Sequence, residues 1–307
     1  MGRPRRCVVL LAAVFGLAGC ASIGPPAAPF DAAVAAAERR CQCRLGVAAR
    51  HLESGRSYEH NGAAEFESAS VIKIAVLTEA MALVSEGRVD LAERWELTAQ
   101  NKADGSGMLL ELDPGLNPTW NDLATLMIGP SDNTATNAWI ARLSVDAINA
   151  RMRSLGLDHI RLFGMIPALS TREDSPSPWK GLRLGSITPH DVAEWMTRVA
   201  KGELLDPESS RKIFQYLDRD PSRLRIARRF PSDFLWAGKS GSMSGVRNDS
   251  GILRTKKGRF VLITLAAEGQ AEGWGADHPA VLAIADLAKA IVDRWSRDLP
   301  EIVEKPE

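Results

Sequence analysis

Four cysteines and five histidines are all that 307 residues supply of the usual metal ligands. The histidines (His51, His60, His159, His190, His278) are scattered, with no His-Glu-x-x-His and no Cys-x-x-Cys, so neither a metal nor another cofactor is expected. Four cysteines are also too few for a disulfide-dense scaffold. Charge of one sign is lacking: 38 basic residues face 38 acidic ones, net zero, which argues against a nucleic-acid partner. With 45% hydrophobic and 25% charged residues, the low hydrophobicity and high net charge of a disordered chain are absent as well. No apolar run is long enough to span a bilayer. What remains is a chain that can bury about 75% of its unfolded surface, as one large or two small domains. The eight tryptophans are spread along it and read as packing. Arg223, Arg225, Arg228 and Arg229 read as a solvated helix face.

The first residues stand apart from the fold. Arg3, Arg5 and Arg6 precede the apolar stretch Val8–Ala18, which leads through Gly19 into Cys20. This resembles a bacterial lipobox, which implies cleavage before Cys20 and a lipid on its sulfur. Residues 1–19 are then a signal peptide and 20–29 a Pro- and Ala-rich tether. The expected location is the cell envelope, lipid-anchored and periplasmic, on the outer membrane in a Gram-negative host. Cys41 and Cys43 are expected to share one face at a strand start, because a bond between residues two apart is strained.

Periodicity orders the rest. Asp31–Arg40 is an alanine-rich helix, and Arg44–Leu52 is a strand turning at Glu53-Ser54-Gly55-Arg56 into a second short one. The middle, about Ser70–Leu217, reads as mostly helical. Phe234–Ser242, Gly251–Arg254 and Arg259–Ala267 read as strands, and Pro279–Ser296 as a closing helix with apolar residues at helical spacing. The expectation is an α/β (α+β) fold of two lobes within residues 30–299. Residues 30–66 and 222–299 would give a five-stranded antiparallel sheet flanked by the first and last helices; residues 67–221 would give a helical lobe.

Three short motifs carry the chemistry. In Ser70-Val71-Ile72-Lys73 the serine opens a run that stays apolar to Val84, so Lys73 lies inside a buried helix, one turn from Ser70. A lysine stripped of water loses protons more readily and can act as a base. A serine at a helix start meets free N–H groups that stabilise an anion. The same spacing recurs at Ser177/Lys180 and Ser209/Lys212 without such a run. Ser131-Asp132-Asn133 follows Gly129-Pro130 and precedes the helix Thr134–Leu143. Lys239-Ser240-Gly241-Ser242 ends a strand, where glycine lets a ligand lie against the backbone.

In this order and spacing the three motifs resemble those of the serine β-lactamases and penicillin-binding proteins, and most closely the class A β-lactamases. Phe66, the Asp104-Gly105-Ser106-Gly107 turn, Thr188-Pro189 and Val246-Arg247-Asn248-Asp249 fit the same likeness, which covers nearly the whole chain after the tether. The resemblance implies Ser70 as acyl-forming nucleophile, Lys73 as its base, Ser131 as proton relay to the leaving nitrogen and Lys239 as support for that serine and for a substrate carboxylate. It implies Asn133 on the substrate amide, Ser240 on its carboxylate, the N–H groups of Ser70 and Ser242 as oxyanion hole behind Gly241, and Arg247 as a further carboxylate ligand. The likeness breaks where class A enzymes carry a water-activating glutamate: Ile166 stands there, and Ser170 replaces the following asparagine. Either Glu173 reaches the ester, or Lys73 activates the water, or deacylation is slow. The implied activity is β-lactam hydrolysis. A DD-peptidase or esterase acting on cell-wall peptides and a non-hydrolytic β-lactam-binding lipoprotein remain as alternatives. The partners implied are a β-lactam or cell-wall peptide and a membrane surface, with no nucleic acid, for a protein expected to be a monomer.

Overall fold

Hydrophobic strands from both ends of the chain meet in one sheet. The computed structural model describes residues 2, 29–166, 182–219, 222–269, 271 and 273–302. Helix α1 (Asp31–Cys41) leads into β1 (Arg44–His51) and β2 (Ser57–His60). Much later in sequence come β6 (Leu235–Met243), β7 (Val246–Thr255) and β8 (Gly258–Ala267), then α8 (Pro279–Ser296). The strand order is β2-β1-β8-β7-β6, every pairing antiparallel, with β1 seated on β8 from Arg44↔Ala267 to His51↔Phe260. One face packs on α1 and α8 through Val34, Leu45, Phe260, Ile284, Leu287 and Ile291. The fold is therefore mixed α and β around a five-stranded antiparallel sheet, as the sequence pattern implied.

The opposite face carries a larger core, built with the helices between β2 and β6. These are α2 (Lys73–Ser85), α3 (Trp120–Ile128), α4 (Asn133–Leu143), α5 (Val145–Ser154), α6 (Pro189–Lys201) and α7 (Pro207–Leu217). Their starts are written locally. Thr119, Asp132, Thr188 and Asp206 cap α3, α4, α6 and α7, and proline follows the cap in α6 and α7, where its missing N–H costs nothing. A second sheet of three very short strands, β3 (Phe66–Glu67), β4 (Arg161–Leu162) and β5 (Gly185–Ile187), interrupts the helical region in the order β3-β5-β4.

Three expectations are corrected. Cys41 and Cys43 form a disulfide with 5.2 Å between Cα atoms, a normal span for such a bond. Gln42, in the left-handed region at φ 49°, turns the chain so that the two sulfurs meet instead of pointing along one strand face. Strand β7 begins at Val246, not Gly251. Residues 246–253 are buried on both faces, so no polar–apolar alternation marks them. The arginine run is only in part a solvated face: Arg229 is exposed and pairs with Asp286, whereas the half-buried Arg223 donates to the carbonyls of Phe234 and Pro231 and the half-buried Arg228 binds Ala276 O and Asp277.

Candidate active site

Ser70 lies in a 3₁₀ turn, Ala69–Ile72, that runs straight into α2. The backbone N–H of Lys73 donates to Ser70 O, so the two side chains leave the same side of the turn. Helix α2 is buried continuously from Lys73 to Leu83, and Lys73 itself is 0% exposed. Its Nζ donates to Ser131 O at 2.6 Å, Ser131 Oγ at 3.1 Å and Asn133 Oδ1 at 2.9 Å. Burial, reinforced by the charge of Lys239 and partly offset by Asp132, holds the Lys73 ammonium well below the usual lysine range. A lysine in that state is neutral, and able to take a proton, at a lower pH than an exposed one. Ser70 and Ser131 are half-buried, while Lys73 and Lys239 are buried.

The loop carrying Ser131 is held in an unusual shape. Ser131 has φ 61°, a conformation that costs a non-glycine residue about 1–2 kcal/mol. Neighbours impose it: Asp132 N donates to Leu126 O at 2.8 Å, and Ser106 Oγ donates to Ser131 O at 2.7 Å. The buried Asp132 carboxylate caps α4 through Ala135 N at 2.9 Å, and it accepts from Met108 N at 2.6 Å and Leu109 N at 2.8 Å. Gly107 permits this. A Cβ there would lie 2.4 Å from that carboxylate, and φ is 123°. Asn133 Nδ2 donates to Asp104 O at 2.7 Å, so the Asp104-Gly105-Ser106-Gly107 turn and the Ser131-Asp132-Asn133 loop are one unit.

Strand β6 is the sheet edge that faces this loop. A Cβ on Gly241 would approach Ser70 N to 2.9 Å and Ser68 O to 3.0 Å, so glycine lets the turn before Ser70 lie directly on β6. Lys239 is 1% exposed and donates to Ser240 O at 3.1 Å. Ser240 and Ser242 are half-buried on the same strand. An edge strand with unpaired backbone groups can receive an extended ligand. The structure thus joins Ser70 and Lys73 to Ser131 and Asn133 on one side and, through Gly241 and Lys239, to β6 with Ser240 and Ser242 on the other.

Arg247 lies on β7, opposite Ser242 of β6. It is 5% exposed; its guanidinium donates to the carbonyls of Met243 (2.6 Å), Val246 (2.7 Å) and Gly273 and lies 4.5 Å from the Trp274 ring centroid. That fork donates to backbone carbonyls, one of them at the end of β6. Arg225 also reaches this strand. It donates to Ser242 Oγ at 2.5 Å, Gly241 O at 2.9 Å and Asn248 O. Nothing local in the sequence distinguishes Arg225 from its neighbours. Asn248, also overlooked, is 0% exposed and ties β7 to the carbonyls of Glu67 (2.8 Å) and Ser68 (3.1 Å).

Ile166 is 5% exposed and packs in the helical lobe. The Asn137 side chain grips its backbone: Ile166 N donates to Asn137 Oδ1 at 2.8 Å, and Asn137 Nδ2 donates to Ile166 O at 3.0 Å. Asn137 falls one helical turn after Asn133, a spacing that could have pointed to it. Glu173, Ser170 and Cys20 lie outside the described residues.

Known proteins are similar to this chain in sequence and fold. The sequence pattern of the Beta-lactamase enzyme family matches residues 29–295. A β-lactamase of Streptomyces lavendulae is 27% identical over 93% of this chain and 96% of its own. The crystal structure of a β-lactamase from Sphaerobacter thermophilus has 32% identity and a TM-score of 0.77, covering 88% of this chain and 97% of its own. A mutant of PBP-A, in an acyl-enzyme complex with penicillin G, has 25% identity and a TM-score of 0.75 over 87% of this chain and 95% of its own. With the pattern matched over almost the entire described chain and a relative of 32% identity superposing on it, the chain belongs to the beta-lactamase enzyme family.

Proposed function

We propose that this protein is a serine hydrolase that β-lactams acylate at Ser70 and that releases the acyl group slowly. The observation that carries the reading is Lys73: fully buried, bonded to both the main chain and the hydroxyl of Ser131, and poor in proton affinity. Lys73 takes the Ser70 proton as Oγ attacks the lactam carbonyl. Ser131 passes a proton to the ring nitrogen as the C–N bond breaks, leaving an ester on Ser70. The N–H groups of Ser70 and Ser242 hold the developing oxyanion. Lys239, Ser240 and Arg225, acting through Ser242, draw the substrate carboxylate to β6.

Slow release follows from Ile166, a side chain that cannot activate water. The same residue favours a second reading, in which the natural substrate is a cell-wall peptide and the β-lactam a trapping analogue. The likeness to PBP-A, a mutant of which is held as a penicillin acyl-enzyme, supports both. Anchoring through a lipid on Cys20 at the cell envelope completes the proposal.

Following adduct mass and ring-opened product together after adding penicillin tests it. A stable adduct on Ser70, absent from Ser70→Ala, is expected; an adduct surviving that change refutes the nucleophile, and rapid turnover without adduct refutes slow release. Cys20→Ser should free the protein from membranes, and unchanged fractionation would remove the anchor.

A further inference from the structure

A buried carboxylate lies directly under the nucleophile's turn, and the chemistry described so far does not use it. Glu67 is 6% exposed, three residues before Ser70. Its Oε1 accepts from Ala69 N at 3.1 Å, Leu184 N at 3.3 Å and Ser68 Oγ at 3.5 Å. Its Oε2 accepts from Arg183 N and from Leu184 N at 3.3 Å. Among the described residues no cation pairs with it, so backbone N–H groups carry the compensation that a buried charge requires.

What it holds is strained. Ala69 has φ 43°, is 0% exposed and immediately precedes Ser70. A left-handed alanine persists only where its surroundings over-determine it. Asn248 Nδ2 fixes the carbonyls of Glu67 and Ser68, Ser68 N donates to Gly185 O at 3.0 Å, and the Glu67 carboxylate fixes Ala69 N. The peptide joining Ala69 to Ser70 carries Ser70 N–H, the group that packs against Gly241. The conformation of Ala69 therefore aims that N–H.

From this geometry we infer that Glu67 is a positioning residue: its carboxylate locks left-handed Ala69 so that Ser70 N–H points into the cleft as an oxyanion donor, and the same carboxylate clamps β5 through Arg183 and Leu184. This rests on the acylation of Ser70 proposed above. Two functions on one side chain make separable predictions. Glu67→Gln keeps the size but turns one acceptor into an N–H₂ group facing N–H donors. The acylation rate constant should fall about tenfold or more, the scale of one lost bond to a charged group, with the pre-acylation Kd for penicillin within about threefold of wild type. Glu67→Asp retains a carboxylate able to reach the N–H two residues on, as in an Asx turn, but not Arg183 and Leu184. It should acylate near the wild-type rate while lowering Tm. Ala69→Gly, which accepts positive φ without strain, should restore most of the rate lost in Glu67→Gln.

Stopped-flow acylation with a chromogenic penicillin, read with Tm, decides. Folded Glu67→Gln at wild-type rate, a loss that appears in Kd instead of the rate constant, or Glu67→Asp as slow as Glu67→Gln overturns the inference. Should Glu67→Gln not fold, the Glu67→Asp and Ala69→Gly rates still test it: a Glu67→Asp rate tenfold down and unrestored by Ala69→Gly overturns it. Failure of the wild type to form any adduct would instead defeat the reading of Ser70 itself.

Discussion

One turn of helix α4 presents two asparagines, and their partners contrast. Asn133 accepts from the Nζ of a fully buried lysine, within a network that includes both oxygens of Ser131 and the turn at Asp104. Asn137 grips the backbone of Ile166, and the side chain it presents is a hydrocarbon. The Asn133 region is polar, charged and strained, with Ser131 in the left-handed region. The Asn137 region has the same kind of amide clamp, closed on the backbone of a hydrocarbon residue. The difference teaches that positioning and proton transfer are separable: the clamp recurs at both places, while among the described residues a buried amine meets it at only one.

The largest expected effect breaks the Asn133 side. Lys73→Ala should slow acylation by about 10² to 10⁴, the usual worth of a positioned base. The pH profile sharpens this. Burial and Lys239 lower the proton affinity of Lys73, so the neutral amine forms at a lower pH than in an exposed lysine and is lost as pH falls through the lowered value. Acylation measured by rapid quench should therefore reach its plateau well before the pH at which an exposed lysine deprotonates, and decline as pH falls below that plateau. A rate still rising tenfold per pH unit toward about pH 10 would mean an unperturbed lysine.

Next in size is the attempt to make the Asn137 side resemble its neighbour. Ile166→Glu places a carboxylate on the clamped backbone and should speed loss of the penicillin adduct by about 10² or more. Adduct lifetime unchanged in a folded variant would show that the missing glutamate is not what separates the two sides.

The smallest effect concerns the arginines at β6. Esterifying the substrate carboxylate should weaken acylation by about 2 kcal/mol. Arg225→Ala should shrink that acid–ester difference, because Arg225 bonds Ser242 and Gly241, while Arg247→Lys should leave it intact. Equal acid–ester differences in wild type and Arg225→Ala would return the arginine role to elsewhere.

Local patterns made much of this molecule legible. Helix α8 runs Pro279–Ser296 as its apolar spacing implies, and β1 and β8 follow their apolar runs within a residue or so. The burial of Lys73 was readable because α2 is apolar on every side. Strands β3, β4 and β5, at two or three residues each, are too short for any periodicity to register. The polar start of β7 hid a strand because Asn248, Asp249 and Ser250 are satisfied internally, bonding Glu67 O, Ile226 N and Lys239 O.

The sequence by itself determined the first and last helices, β1 and β8, and the apolar run that buries Lys73, since each depends on neighbours within a turn or a strand; it also singled out Ser70, Lys73, Ser131 and Lys239 as candidates. Only the tertiary structure decided that Cys41 bonds Cys43, that Arg225 reaches the Ser242 hydroxyl while Arg247 lies on backbone carbonyls, and that Glu67 lies under Ser70. Those outcomes depend on one left-handed residue, on which carbonyls a guanidinium meets first, and on N–H groups more than a hundred residues away. Spacing along the chain carries no information about contacts of that range.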